Sequence, residues 1–207
     1  MVFLDTIKVA FLKAFAHVKI FEFPFFMVFD PHSFDIKGKH YYELLKLIQP
    51  GDIVLRAYRN YLDGYFIPGK YSHASLYVGD ENEQIIHSMT PDVQWIDLVS
   101  FMRCDKICVI RPDVSTADKQ TAIERAKAML GRPYDYDFKF ELDGNINADP
   151  NRKFSCSELV YFAYDKNIAD LKWSVKKKNY LLFIKSIFAP IDCLPTDGSK
   201  STIVYEI

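Results

Sequence analysis

Cys156 stands in the run Lys153-Phe-Ser-Cys-Ser-Glu-Leu-Val-Tyr-Phe-Ala-Tyr164, where the apolar residues predict a helix over 155–165. A place in the first turn puts its sulfur beside backbone N–H groups that the helix leaves unpaired, at the positive end of the helix dipole. That setting lowers a thiol pKa, and the same N–H groups can bind the oxyanion of an acyl-transfer intermediate. The chemistry on offer is nucleophilic attack on a carbonyl carbon. Read alone, Cys156 is also a small buried residue at a helix start.

A nucleophilic thiol needs a base, and two histidines have a suitable context. His73 lies in Tyr71-Ser-His-Ala-Ser-Leu-Tyr-Val-Gly-Asp80, and His87 ends the next apolar run, Gln84-Ile-Ile-His87. A hairpin turning around Gly79-Asp80-Glu81-Asn82 brings residues 73 and 87 close to opposite each other on one face. One imidazole can then take the thiol proton while the other orients it. The same spacing fits a pair of satisfied strand histidines.

The elements that must position these residues follow from the pattern along the chain. A short helix is predicted over Lys39–Ile48, stopped by Pro50-Gly51. Strands are predicted over 52–58, 72–78, 84–89 and 106–111, with a short one near 95–98. Thr116–Leu130 reads as a helix with Thr116 as N-cap and Gly131 as its stop, and 202–207 as a final strand. Helices flank strands without regular βαβ alternation, so the fold class is α+β.

Residues 3–20 carry Leu4, Ile7, Phe11, Phe15 and Val18 at helical spacing, an amphipathic helix followed by an extended segment. The expected division is therefore 1–30 as N-terminal helix and extension, and 31–207 as the main domain. The helix either docks on that domain or rests on a membrane surface. Lys176-Lys-Lys-Asn-Tyr-Leu-Leu-Phe-Ile-Lys185 sets basic beside apolar residues, read either as a core helix with a charged start or as a peripheral membrane contact. The longest uncharged stretch near the N-terminus, Phe23 to Phe29, is far short of the roughly 20 residues of a spanning helix. With no cleavable leader evident, a cytoplasmic location is the expectation.

Composition narrows the classes. In 207 residues, 26 basic side chains balance 27 acidic ones, so nothing favours a nucleic acid partner. The 4 cysteines are too sparse for a disulfide scaffold. Cys104 and Cys108 fit neither a CxxC nor a zinc pair and read as core thiols. Asp143-Gly-Asn-Ile-Asn-Ala-Asp149 imitates a calcium loop but lacks its central Gly, and its twelfth position is Phe154. No metal and no cofactor are expected.

Taken in order, PGDIVL (50–55), SHASLYVGD (72–80), IIH (85–87), GRPYDYDF (131–138) and FSCSELVYFAY (154–164) resemble the NlpC-type papain-like cysteine hydrolases. The order, with the His strand ahead of the Cys helix, is similar to the circularly permuted YaeF/YiiX-like branch. This resemblance implies a small antiparallel β-barrel or sheet packed against helices, with Cys156 as nucleophile, His73 as base and a polar orienting residue on the next strand. That branch often has Glu at the third position, where His87 stands here; lecithin:retinol acyltransferase-like proteins, more distantly similar, use His. The implied function is a cysteine amidase or peptidase acting through a thioester acyl-enzyme on a peptide-like or acyl-amide small substrate. An acyltransferase or lipid hydrolase using the same residues is the alternative, and a non-catalytic binding module the second. Arg56 and Tyr58 near the end of the first strand, and Tyr134 and Asp135 ahead of the Cys helix, are the expected substrate contacts.

Overall fold

In a computed structural model of the chain, residues 34–59, 67–80, 84–136, 140, 149, 151–180 and 183–207 are described, with the backbone of 18–20 and 27–29. Side chains of 178–180 and 183–185 lie outside the described set. The chain divides into two compact units, Met1–Asp35 and Ile36–Ile207.

In the first unit, β1 (Val18–Ile20) pairs antiparallel with β2 (Met27–Phe29), Val18 opposite Phe29. The helix expected over 3–20 lies outside the described residues as far as 17. Its last three residues are strand, a correction that the β-branched Val18 and Ile20 account for.

The second unit is built on a six-stranded antiparallel sheet. Its strands are β3 (Ile53–Ala57), β4 (His73–Tyr77), β5 (Ile85–Met89), β6 (Asp92–Ile96), β7 (Lys106–Pro112) and β10 (Ser201–Glu206). They lie in the order β10-β7-β3-β4-β5-β6. Strand β3 is buried along its whole length because both faces of the sheet are covered. Hence its sequence reads as an apolar run rather than an alternation.

The two faces hold different cores. Ile53, Leu55, Ala74, Leu76 and Ile86 pack against α3 (Thr116–Ala128) and α4 (Cys156–Ala163). The alternate residues Val54, Tyr77 and Ile85 face α1 (Gly38–Leu45) and α2 (Leu98–Phe101). Helix α3 is capped by Ser115, one residue before the expected Thr116; its hydroxyl accepts from the Asp118 N–H at 3.1 Å. A short α5 (Ile168–Leu171) follows α4 through a 3-10 turn. The segment read as a helix around 176–185 is instead a hairpin, β8 (Lys176–Tyr180) with β9 (Phe183–Ile187).

The Pro50-Gly-Asp52 turn anchors the start of β3. Arg111 on β7 donates from Nε and Nη2 to the two Asp52 carboxylate oxygens, at 2.9 and 2.7 Å. The Gln49 N–H adds a third bond to that fully buried carboxylate, at 2.8 Å. Gly51 sits at φ +90°, and a Cβ there would come within 2.9 Å of the Lys119 side chain of α3. The turn thus ties β3, β7 and α3 together.

Replacing Asp52 by Asn keeps the size but removes the charge that Arg111 pairs with. The expected loss is roughly 1.5–3 kcal/mol of unfolding free energy, read from urea melts with an unchanged m-value. An unaltered midpoint would show that the turn is not an anchor.

Candidate active site

Cys156 opens α4, and its position is set by the segment that leads into the helix. The Phe154 N–H donates to the Pro133 carbonyl at 3.0 Å, and the Phe154 carbonyl accepts from the Asp135 N–H at 3.1 Å. Ser88 Oγ of β5 donates to the same carbonyl at 2.6 Å, which fixes the entry to α4 against the sheet. Ser155 then caps the helix. The Ser155 N–H donates to Glu158 Oε2 at 2.8 Å, and the Glu158 N–H to Ser155 Oγ at 3.4 Å, a reciprocal capping box.

The sulfur comes to rest where two strands part. β4 pairs with β5 through Tyr77↔Ile85, Leu76↔Ile86 and Ser75↔His87. Ala74 lies just beyond the last pair, and its N–H, with those of Ser157 and Cys156, is near enough to the thiol to favour its charged form. The helix N-terminus therefore meets β4 at the residue after His73.

His73 and His87 share the opposite face of the sheet from α4, because alternation along β4 separates them from Ala74 and Leu76. His87 pairs with Ser75, which leaves His73 two residues along on the same face. The rings meet directly: His73 Nε2 and His87 Nδ1 are 2.9 Å apart in a hydrogen bond. Phe101 of α2 lies against both rings, with centroids at 5.8 and 6.1 Å. Among the described residues no hydrogen bond joins Cys156 to His73. A proton transfer from the thiol to His73 requires the two groups, on opposite faces of β4, to approach each other past the end of the β4–β5 pairing.

Burial governs the charges. Cys156 is 2 % exposed. Its thiol is pushed up to about 11 by burial, against the opposing pull of the three N–H groups. The expectation of a depressed thiol pKa from the helix N-terminus alone is thus corrected, since desolvation outweighs the dipole. Burial, with the neighbouring Arg56 charge, holds His73 well below the usual imidazole range and His87 at about 4. The resting site is a neutral thiol and a neutral imidazole pair. Glu158 is raised to about 7, chiefly by burial.

An apolar cleft opens beside the thiol. Ile67, Pro68, Phe140, Ile187, Phe188 and Pro190 supply its apolar wall, and Ser155 to Glu158 its floor. No histidine is among the lining residues described. Of the expected substrate contacts, Arg56 is buried beside the histidines, its guanidinium 5.4 Å from the Tyr58 ring. Tyr134 forms a bridge with Phe154 and packs on Tyr136, while Asp135 is buried near Glu158. None of the four is among the lining residues of the cleft. Glu158 had a legible signal in Ser155-Cys-Ser-Glu158, a capping-box pattern. The walls, drawn from three separate stretches of chain, had none.

The fold and this arrangement have counterparts. Residues 47–189 match the family of permuted papain-like amidase enzymes, YaeF/YiiX, C92, and the chain belongs to that family. The structure resembles the crystal structure of metalloprotein yiiX from Escherichia coli O157:H7, with a TM-score of 0.59 and 20 % identity over 77 % of this chain and 97 % of that one. No curated protein matches the sequence. Although that structure is described as a metalloprotein, the described residues here contain no group of three or more His, Cys, Asp or Glu placed to hold a metal ion. His73 and His87 direct their facing nitrogens at each other.

None of the four cysteines is in a disulfide and all are buried, but among the described lining residues only Cys156 borders the cleft. Iodoacetamide is expected to label it ahead of Cys104, Cys108 and Cys193, as mass spectrometry of peptides would show. With a thiol near 11, the rate should climb about tenfold per pH unit between about pH 7 and 9. A rate already level at neutral pH would contradict the neutral resting thiol.

Proposed function

We propose that the chain is a cysteine amidase in which Cys156 attacks the carbonyl of a small N-acyl substrate whose acyl side is apolar. The observation that carries this reading is a thiol in the first turn of α4 that borders an apolar cleft and packs against β4 at the residue after His73, whose ring is bonded to His87. Family membership supports amidase chemistry of the papain-like kind.

The His73–His87 bond sets a useful tautomer. If His73 donates from Nε2 to His87 Nδ1, its own Nδ1 keeps a lone pair and is the base. The thiol proton passes to that nitrogen as sulfur bonds to the substrate carbon. The developing oxyanion has the N–H groups at the start of α4 within its reach. Collapse expels the amine, which takes the proton from His73, and leaves a thioester on Cys156. Water, deprotonated by His73, then attacks the thioester carbon; the acid leaves and the expelled Cys156 sulfur takes the proton back from His73. A neutral pair suits this sequence, because no charge is buried until the step that needs it.

The cleft argues for the acyl preference. Its walls are apolar, and Glu158 is the only ionisable side chain among the lining residues described apart from the thiol. A peptide with charged termini finds no complementary partner on those walls. A saturated acyl chain loses water at each carbon it inserts.

A series of N-acyl p-nitroanilides of increasing chain length tests the reading. Each added CH₂ is worth about 0.8 kcal/mol, so kcat/KM should rise about three- to fourfold per carbon until the cleft is full. Replacing Cys156 by Ala should remove turnover, by about a thousandfold or more. Rates independent of chain length would reject the acyl preference, and undiminished turnover in Cys156→Ala would reject the mechanism.

A further inference from the structure

Arg56 is a buried cation whose hydrogen bonds go to neutral groups. It is 4 % exposed, lies in the middle sheet on β3, and is registered directly opposite His73 of β4. Its Nη1 donates to the Phe101 carbonyl at 3.2 Å and its Nη2 to the Met89 sulfur at 3.8 Å, while its buried Nε has no partner. The guanidinium carbon stands 4.4 Å from the centre of the Phe101 ring, which also covers both histidines. Among the described residues no carboxylate forms an ion pair with it. Burying a guanidinium without a counter-charge costs several kcal/mol, and replacement by an apolar side chain of similar volume would ordinarily remove that cost. A role beyond packing would account for its presence.

We propose that Arg56 is a positioning residue of the site, a fixed positive charge behind the His73–His87 pair that lets the pair accept a proton only when Cys156 releases one. The inference rests on the amidase reading above and deepens it.

The groups around the pair leave Arg56 as the dominant charge. From β4 and β5 come the two imidazoles themselves, and from β6 the neutral Gln94, opposite His87. Helix α2 contributes Phe101 and no ionisable side chain. Beyond α2 lie Cys104, whose thiol burial pushes up to about 12, and Asp105, whose carboxylate accepts from the Arg59 N–H at 2.7 Å. Tyr58 offers its ring to the guanidinium. Repulsion by a charge this close, in a buried setting, disfavours imidazolium on both rings, in line with the lowering of His73 and His87.

What this arrangement achieves is a base that stays available in mild acid. An isolated imidazole is half protonated near pH 6.5 and loses its function as a base below that. Cross-strand placement keeps the charge near the rings without letting it bond to them. It can therefore act on their protonation without competing for the lone pair that takes the thiol proton.

The test combines imidazole NMR of histidine-labelled protein with the pH profile of acyl-anilide turnover. In the unaltered protein both imidazoles should remain neutral down to about pH 5. In Arg56→Met and Arg56→Gln, at least one should titrate about one pH unit or more higher, and the acid limb of kcat/KM should move with it. Arg56→Lys, which keeps the charge, should restore both. Arg56→Gln keeps a donor for the Phe101 carbonyl, so a merely structural role would leave its titration unmoved. Imidazoles protonating at or above about pH 6.5 in the unaltered protein would overturn the proposal whether or not any variant folds. So would folded neutral variants with unshifted titrations. A shift in the NMR titration without acyl-anilide turnover in any form would instead leave Arg56 in its role and reject the amidase reading.

Discussion

Past the third and last β4–β5 pair, the Ala74 N–H lies near the Cys156 thiol and favours its charged form. Around that contact the rest of the molecule is arranged. It brings the N-terminus of α4 to the place where β4 and β5 part, and it sets Cys156 beside the residue that follows His73. The Phe154 carbonyl, bonded by Ser88 and the Asp135 N–H, holds the approach, and the Ser155–Glu158 capping box holds the first turn. Moving any of these would shift the sulfur relative to the sheet. The opposed cores on the two faces then keep the sheet itself from yielding.

Burial at this contact has two consequences that pull in different directions. It denies the thiol the ionisation that a helix N-terminus would favour in a more open site. It also removes the solvent that would protonate the histidines, and Arg56 adds to that effect. On the proposed mechanism, reactivity depends on a concerted proton transfer rather than on a standing thiolate. A substrate that fills the apolar cleft excludes water further and strengthens each interaction within it.

The helix over 116–128 and the strands through 53–57, 73–77, 85–89 and 106–112 were readable because their local signals agree with their burial. The α+β class followed from strands without regular βαβ alternation and the permuted papain-like family from the order of the motifs, and the structure and the family match agree with both. The hairpin of β8 and β9 was not readable. Its run of lysines followed by apolar residues fits a helix as well as a pair of edge strands, and only pairing decides. Helix α2, with four residues, is too short to carry a period. The depth of Cys156 was hidden for another reason. It is set by Phe140 and by 187–190, which lie far away in sequence, so the helix dipole was visible and the desolvation that outweighs it was not.

The central claim is that the sulfur at the end of β4 becomes the acyl carrier. Its most direct test is intact-protein mass spectrometry after brief mixing with the p-nitrophenyl ester of a medium-chain fatty acid at neutral pH. The account requires one acyl group on Cys156, released by hydroxylamine as a thioester is, and absent when His73 is replaced by Ala. An adduct on another residue, or an unmodified Cys156 in a protein that still turns the ester over, would contradict it.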